Sequence, residues 1–123
     1  MGITRRVAIL SACLAVSSAA MAQDFKVTLL GTGVPFPAPD RFGAATLVGA
    51  GQERLLFDVG RGATIRLNQL GMPMGTLNAV LLTHFHSDHT SGIPDLWLTG
   101  WIGRYYGNRQ SPFRVIGPKG TVS

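Results

Sequence analysis

The chain has 123 residues, 46% of them hydrophobic, and its 11 Lys and Arg exceed its 6 Asp and Glu, giving a formal net charge of +5. A chain of this length forms one small domain, and its single cysteine, Cys13, excludes a framework of intrachain disulfides. The basic residues form no run, so they predict a solvated surface with mild attraction for anions and argue against a nucleic-acid-binding patch. Those beyond residue 22 are Lys26, Arg41, Arg54, Arg61, Arg66, Arg104, Arg109, Arg114 and Lys119.

Residues 1–22 are typical of a secretory signal peptide. A pair of arginines at 5–6 precedes an apolar run over 7–16, and small residues follow up to Ala22. This order predicts cleavage after Ala22, a mature domain over 23–123 and a periplasmic or secreted protein. The apolar run is too short to cross a membrane. The arginine pair is compatible with general secretion and with twin-arginine export, and both routes stay open.

The first half of the mature domain is predicted to contain three strands and a helix. An apolar stretch over 25–30 predicts a strand, and the loop that follows has a proline at every second position, which favours extended backbone. Two more strands, 44–48 and 54–57, are expected to form a hairpin around glycines. A helix is expected over 62–70, where Gly71 ends it.

The second half of the domain begins with an apolar run over 77–82 that predicts a buried strand. A helix is expected over 93–101 and a last strand over 113–116. Ligand sites in folds of this kind commonly follow strand ends, so polar residues directly after 77–82 are candidates for a site. Few elements remain to cover the sheet, which predicts an exposed apolar face and an unpaired edge.

All three histidines of the chain lie within six residues of one another, directly after this predicted strand. The segment is THFHSDH at 83–89. Side chains alternate between the two faces of an extended strand, so His84, His86 and Asp88 are expected on one face, and His89 joins them where the backbone bends. Imidazole and carboxylate groups are ligands for zinc and similar divalent ions. The segment therefore predicts a metal site.

This motif and the segments around it resemble the metallo-β-lactamase superfamily of hydrolases, in its ribonuclease Z and arylsulfatase-like branch. The other resembling segments are LLGTGVP at 29–35, RFG at 41–43, LFDVG at 56–60, GIP at 92–94 and IGPKGT at 116–121. They cover nearly all of the mature domain. The resemblance implies an α+β fold, the αββα sandwich of that superfamily, of which this chain holds only the N-terminal half.

The resemblance also implies metal ligands. His84 and His86 would bind a first metal ion and Asp88 and His89 a second, with Asp88 also near the attacking water as the catalytic residue. Zinc is the usual metal, with two ions in the complete protein, and manganese or iron occurs in some members of the family.

Two further residues are candidates to support the ligands from outside the coordination sphere. An uncoordinated histidine nitrogen needs a hydrogen-bond acceptor, and Asp58 is the best candidate for one of them. A role as a helix N-cap or turn residue is an equal alternative for Asp58. Thr83 is the other candidate, although an ordinary threonine at the end of a strand is favoured for that position.

These features predict an exported metal-dependent hydrolase in which metal-bound hydroxide attacks an ester, with a phosphodiester or sulfate ester favoured. The expected partner is a small anionic ester or phosphodiester. A membrane is not expected after cleavage, and nucleic acid is not expected because export argues against transfer-RNA maturation. A homo-oligomer is left open. For the complete protein, a ribonuclease Z-type endoribonuclease and a lactonase or β-lactamase are the alternatives.

The family completes its two-metal centre with an aspartate bridge and two histidines downstream of the motif. After His89 this sequence contains no histidine, and the one acid that follows, Asp95, falls in a predicted helix. A domain truncated at its C-terminus, or the first piece of a split sequence, is the favoured explanation. The alternatives are a non-catalytic metal-binding fragment that holds one metal and a site completed by another chain.

Overall fold

A five-stranded mixed sheet organises residues 24–103 and 105–122, the part of the chain that the computed structural model describes. The predicted signal peptide, 1–22, lies outside these residues. The strands follow one another across the sheet in chain order, as β1 (Phe25–Gly31), β2 (Ala45–Ala50), β3 (Glu53–Phe57), β4 (Ala79–Leu81) and β5 (Val115–Ile116). The helices are α1 (Ala63–Gln69), α2 (Ser87–Thr90) and α3 (Ile93–Trp101), with one 3-10 turn at Met74–Thr76.

The predicted elements agree with this arrangement, with shorter strands in the second half. The hairpin of β2 and β3 and the helix α1 are confirmed, and α3 has the predicted bounds. The strand expected over 77–82 is confined to Ala79–Leu81, and the one expected over 113–116 is confined to Val115–Ile116. Among the described residues, no helix is long and apolar enough to cross a membrane.

Strand direction brings several loops to one edge of the sheet. β1 and β2 are antiparallel, as are β2 and β3, whereas β3, β4 and β5 are parallel. It follows that β1, β3, β4 and β5 all run in the same direction. Their carboxyl ends lie at a common edge, which we call the carboxyl edge.

One face of the sheet packs against the helices and forms the core. The largest fully buried side chains are Leu56, Val59, Leu67, Val80 and Leu96, which come from strands, helices and the connection after β3. Burial of each such side chain contributes about 1.5–3 kcal/mol to the free energy of unfolding.

The opposite face of the sheet is apolar and open. On β1, Phe25, Val27 and Leu29 alternate with residues of the covered face and are 70%, 54% and 66% exposed. Cross-strand pairing sets Val27 beside Val48 of β2 on the same face. The expected exposed apolar face is thus confirmed in the described part of the chain, where β1 also forms a free edge of the sheet.

Arg109 corrects the prediction that the basic residues are solvated, because it is only 5% exposed. Its Nη2 donates a hydrogen bond of 3.1 Å to the carbonyl of Met74, and its guanidinium lies 5.0 Å from the ring centre of Phe113. Burial lowers the pKa of Arg109. Close backbone packing accounts for the burial of Arg109. A Cβ on Gly107 would collide with the carbonyl of Gly100, so the two glycines allow the segment that contains Arg109 to pack on α3.

Candidate metal centre

The strand that precedes the histidine motif stops before the motif begins. β4 ends at Leu81, and His86 is the N-cap of α2, with φ −62° and ψ 151°. The carbonyl of His86 accepts a hydrogen bond of 3.0 Å from the His89 backbone N–H. Asp88 and His89 therefore sit on a helical turn. The expectation that strand alternation places Asp88 beside the first two histidines is wrong, because the chain bends at His86.

The bend nevertheless brings the predicted ligands together. The ring centres of His84 and His86 are 4.6 Å apart, and those of His84 and His89 are 4.0 Å apart. His89 Nε2 lies 3.6 Å from Asp88 Oδ2. The four side chains are therefore neighbours in pairs, although no three of them converge on one point among the described residues.

Asp58 connects the end of β3 to this motif. It has φ 59°, in the left-handed region that aspartate tolerates better than most residues, and its N–H donates to the carbonyl of Leu81 at 2.8 Å. Its Oδ1 accepts the Thr83 backbone N–H at 2.8 Å. Its Oδ2 accepts the Thr83 hydroxyl at 2.8 Å and lies 2.7 Å from His89 Nδ1.

These contacts exclude the N-cap role for Asp58, since the N-cap of α1 is Gly62 and the carboxylate of Asp58 instead binds Thr83 and His89. Burial alone would raise the pKa of Asp58, but hydrogen bonds from Thr83 and from His89 outweigh it and hold that pKa below its usual value. An ionised Asp58 can only accept hydrogen bonds.

The hydrogen bonds fix the tautomers of two histidines. Because Asp58 accepts, His89 Nδ1 must carry the proton that it donates. The Thr83 hydroxyl gives its one proton to Asp58, so the 3.0 Å contact between Thr83 Oγ1 and His84 Nδ1 requires His84 Nδ1 to donate as well. In the neutral form of each imidazole, Nε2 then carries the free lone pair, which is the state of a metal-binding histidine.

Asp88 is the acid of the motif, and one of its oxygens lacks a partner. Its side chain is 11% exposed, and its Oδ1 is buried without a hydrogen bond to any described residue. A buried, unpartnered carboxylate oxygen is costly unless a cation or a donor occupies the space beside it. The donor set thus suits a divalent cation, although no three His, Cys, Asp or Glu side chains converge fully on one point within residues 24–103 and 105–122.

Three glycines let the motif pack against the rest of the carboxyl edge, backbone to backbone. A Cβ on Gly43 would lie 2.9 Å from the carbonyl oxygen of Asp88, and one on Gly60 would collide with the same atom. A Cβ on Gly92 would lie 2.5 Å from the carbonyl oxygen of Gly60. The segments that resemble the family include all three glycines, but the need for close approach was not visible from the sequence.

Comparison with solved structures defines the class of this fold. The metallo-β-lactamase fold protein YhfI from Bacillus subtilis matches 80% of this chain and 39% of its own, with a TM-score of 0.69 and 28% identity. The short form of human tRNase Z matches 76% of this chain and 35% of its own, with a TM-score of 0.65 and 33% identity. The structure is therefore the N-terminal portion of a metallo-β-lactamase fold, as the sequence predicted.

Residues 25–114 match the family model of the anti-Pycsar protein Apyc1, and the chain belongs to that family. It is also 47% identical over 97 residues to a ribonuclease Z of Mycobacterium marinum and 46% identical over 97 residues to one of Mycobacterium bovis. Each match covers 79% of this chain and 34% of the relative. The chain thus spans about a third of the length of these ribonuclease Z relatives.

Proposed function

We propose that this chain is part of a metal-dependent phosphodiesterase that binds its metal through His84, His86, Asp88 and His89. The observation that carries the proposal is the hydrogen-bond network of Asp58, which fixes the tautomers of two histidines with Nε2 free. Metal-binding histidines in proteins almost always donate their other ring N–H to such an acceptor, which supports this assignment. Zinc is the favoured metal, and the donor types also suit iron, with manganese less favoured.

Each residue of the motif then has a defined task. When bound, a metal pair would lower the pKa of a water molecule and polarise an ester oxygen of the substrate. Asp88 Oδ1, buried and unpartnered, would bind the cation, and the other oxygen of this carboxylate would lie near the attacking water. Asp58 and Thr83 would position His84 and His89 without touching the substrate.

The relatives favour a phosphodiester over a sulfate ester as substrate. Several relatives that are 44–47% identical over 97 residues carry the name ribonuclease Z, so the expectation that nucleic acid is not a partner loses its support. RNA, as well as a small phosphodiester, becomes a candidate substrate of the whole protein. Export through residues 1–22 stays a prediction, which the mass of the chain recovered from the periplasm would test.

A non-catalytic metal-binding fragment is the second candidate. It is favoured by the absence of three converging ligands among the described residues and by the ribonuclease Z relatives, of whose length the match covers only 34%. The full chain loaded with zinc would separate the two by elemental analysis beside hydrolysis of bis(p-nitrophenyl) phosphate. Metal with turnover supports the phosphodiesterase, and metal without turnover supports the fragment. A chain that stays metal-free would contradict both.

Replacement of Asp58 by asparagine is expected to weaken zinc binding by about 10- to 100-fold. Asparagine keeps the shape of the side chain, but its amide nitrogen cannot accept hydrogen bonds, so either Thr83 or His89 loses its acceptor. Calorimetric titration with zinc measures the change. Asp95→Asn is the matched control, because Asp95 accepts hydrogen bonds from Thr64 and Thr99 and touches no histidine. Equal affinities of the two variants would refute the positioning role.

A further inference from the structure

A cavity lies at the end of the sheet opposite the carboxyl edge, between the start of β1 and the end of α1. Its volume is about 210 Å³. It is lined by Lys26, Thr28, Leu47, Gly49, Gly51, Glu53, Arg54, Leu70 and Met72. Arg54 precedes Asp58 by four residues along extended backbone, so the two residues are about 13 Å apart. The cavity is therefore separate from the candidate metal centre.

Strand register places two cations on either side of a glycine in this cavity. Lys26 of β1 pairs with Gly49 of β2, and Gly49 pairs in turn with Arg54 of β3. Residues that pair directly across strands share a face of the sheet, so these three form one row. A Cβ on Gly49 would meet nothing closer than the carbonyl oxygen of Lys26 at 3.9 Å, so the space between the two cations is open.

The apolar wall of the cavity comes from the end of α1. Gly71, with φ 66°, ends the helix, and the N–H groups of Gly71 and Met72 donate to the carbonyls of Asn68 and Leu67. These bonds satisfy two of the last carbonyl groups of the helix. The helix end consequently contributes the side chains of Leu70 and Met72 to the cavity, and an anion there does not face those two carbonyl dipoles.

The charges of the lining favour an anion. Within residues 24–103 and 105–122, neither Lys26 nor Arg54 forms an ion pair with an acid. Glu53 contributes one carboxylate, so two cations and one acid leave the lining with a net charge of +1. A monoanionic head group balances this charge. A dianion exceeds it, and a cation adds to it.

The size of the cavity and its apolar side chains limit the rest of the ligand. Pockets for drug-sized ligands have volumes of about 300–1,000 Å³, so this cavity suits a smaller molecule. With about 30 Å³ for each group the size of a water molecule, it holds about seven such groups. Leu47, Leu70 and Met72 offer contacts to hydrocarbon, and each buried methylene group raises affinity about fourfold.

We propose that this cavity binds a small carboxylate that carries a short hydrocarbon chain. The carboxylate would lie between Lys26 and Arg54, above the backbone of Gly49. The chain would extend from there against Leu47 and the end of α1. This site goes beyond the proposed phosphodiesterase function and does not depend on it, because no residue of the cavity takes part in the metal centre.

Titration of the isotope-labelled full chain with hexanoate tests this site, with the backbone amide signals of Gly49 and Gly51 followed by NMR. Hexanoate is expected to shift both signals and to bind about tenfold more tightly than butyrate, since two more methylene groups are buried. It should also bind at least about fivefold more tightly than hexanol, which has the same chain but no charge. Equal affinities for hexanoate and hexanol, or for hexanoate and butyrate, would overturn the proposal.

Two substitutions test the position of the ligand. Gly49→Leu fills the space between the cations and is expected to lower hexanoate affinity at least about tenfold. Arg54→Gln should lower it about five- to tenfold through loss of a charge-assisted hydrogen bond. Asn78 holds Arg54 through backbone groups only, so this second variant keeps the strand in place. Unchanged affinity in Arg54→Gln would reject the site even if Gly49→Leu failed to fold.

Arg114→Gln is the matched control for Arg54→Gln. Arg114 directly precedes β5, at the same end of the sheet as Arg54, but it does not line the cavity. The control removes the same charge and should leave hexanoate affinity within about twofold. Equal losses in the two arginine variants would overturn the proposal by showing general attraction of an anion to a basic chain.

Discussion

Replacement of His86 by alanine is expected to lower the affinity for zinc by at least about a hundredfold. The loss of an outer hydrogen bond to a ligand already costs 10- to 100-fold, and here an imidazole is removed outright. The ring of His86 lies 4.6 Å from that of His84, and the residue is exposed, so the substitution removes a ligand without opening the core. Calorimetric titration with zinc at neutral pH measures the effect.

Phe85→Leu is the matched control for His86→Ala. Phe85 lies between the first two histidines, is 48% exposed and offers no metal ligand. Its replacement should leave zinc affinity within about threefold, since a surface substitution away from the ligands changes little. If His86→Ala binds zinc as tightly as Phe85→Leu, the assignment of His86 as a ligand is wrong.

Replacement of Gly60 by alanine is expected to destabilise the fold by about 3 kcal/mol or more. The added Cβ would collide with the carbonyl oxygen of Asp88 and would lie 2.6 Å from the backbone nitrogen of Ala44. These are backbone atoms, which cannot yield as the end of a flexible side chain can, so overpacking is severe. Urea unfolding followed by circular dichroism measures the loss, and zinc affinity should fall with it because α2 is displaced.

Gly49→Ala in β2 provides the comparison. A Cβ at Gly49 meets nothing closer than the carbonyl oxygen of Lys26 at 3.9 Å, so the same methyl group finds room there. The stability of this variant should stay within about 1 kcal/mol of the wild type. If both variants unfold at the same urea concentration, close packing at Gly60 does not hold the motif.

The elements that the sequence predicted well are those with strong local patterns. α3 has the predicted bounds, Ile93–Trp101, because apolar periodicity and a proline near its start act within one segment. β4 is shorter than its apolar run, because pairing with β3 and β5 decides where a strand ends. Burial of Arg109 could not be predicted either, since it depends on Gly100 and Gly107 meeting.

By itself, the sequence determined the family and the four candidate ligands, because the histidines and the aspartate of the motif lie within seven consecutive positions and can be identified without knowledge of the fold. Only the tertiary structure decided how they are held. Asp58 and His89 are 31 positions apart, yet their side chains lie 2.7 Å from each other. Arg66 and Phe42 likewise meet across two separate segments. Such contacts depend on backbone packing between distant segments, which residue order does not reveal.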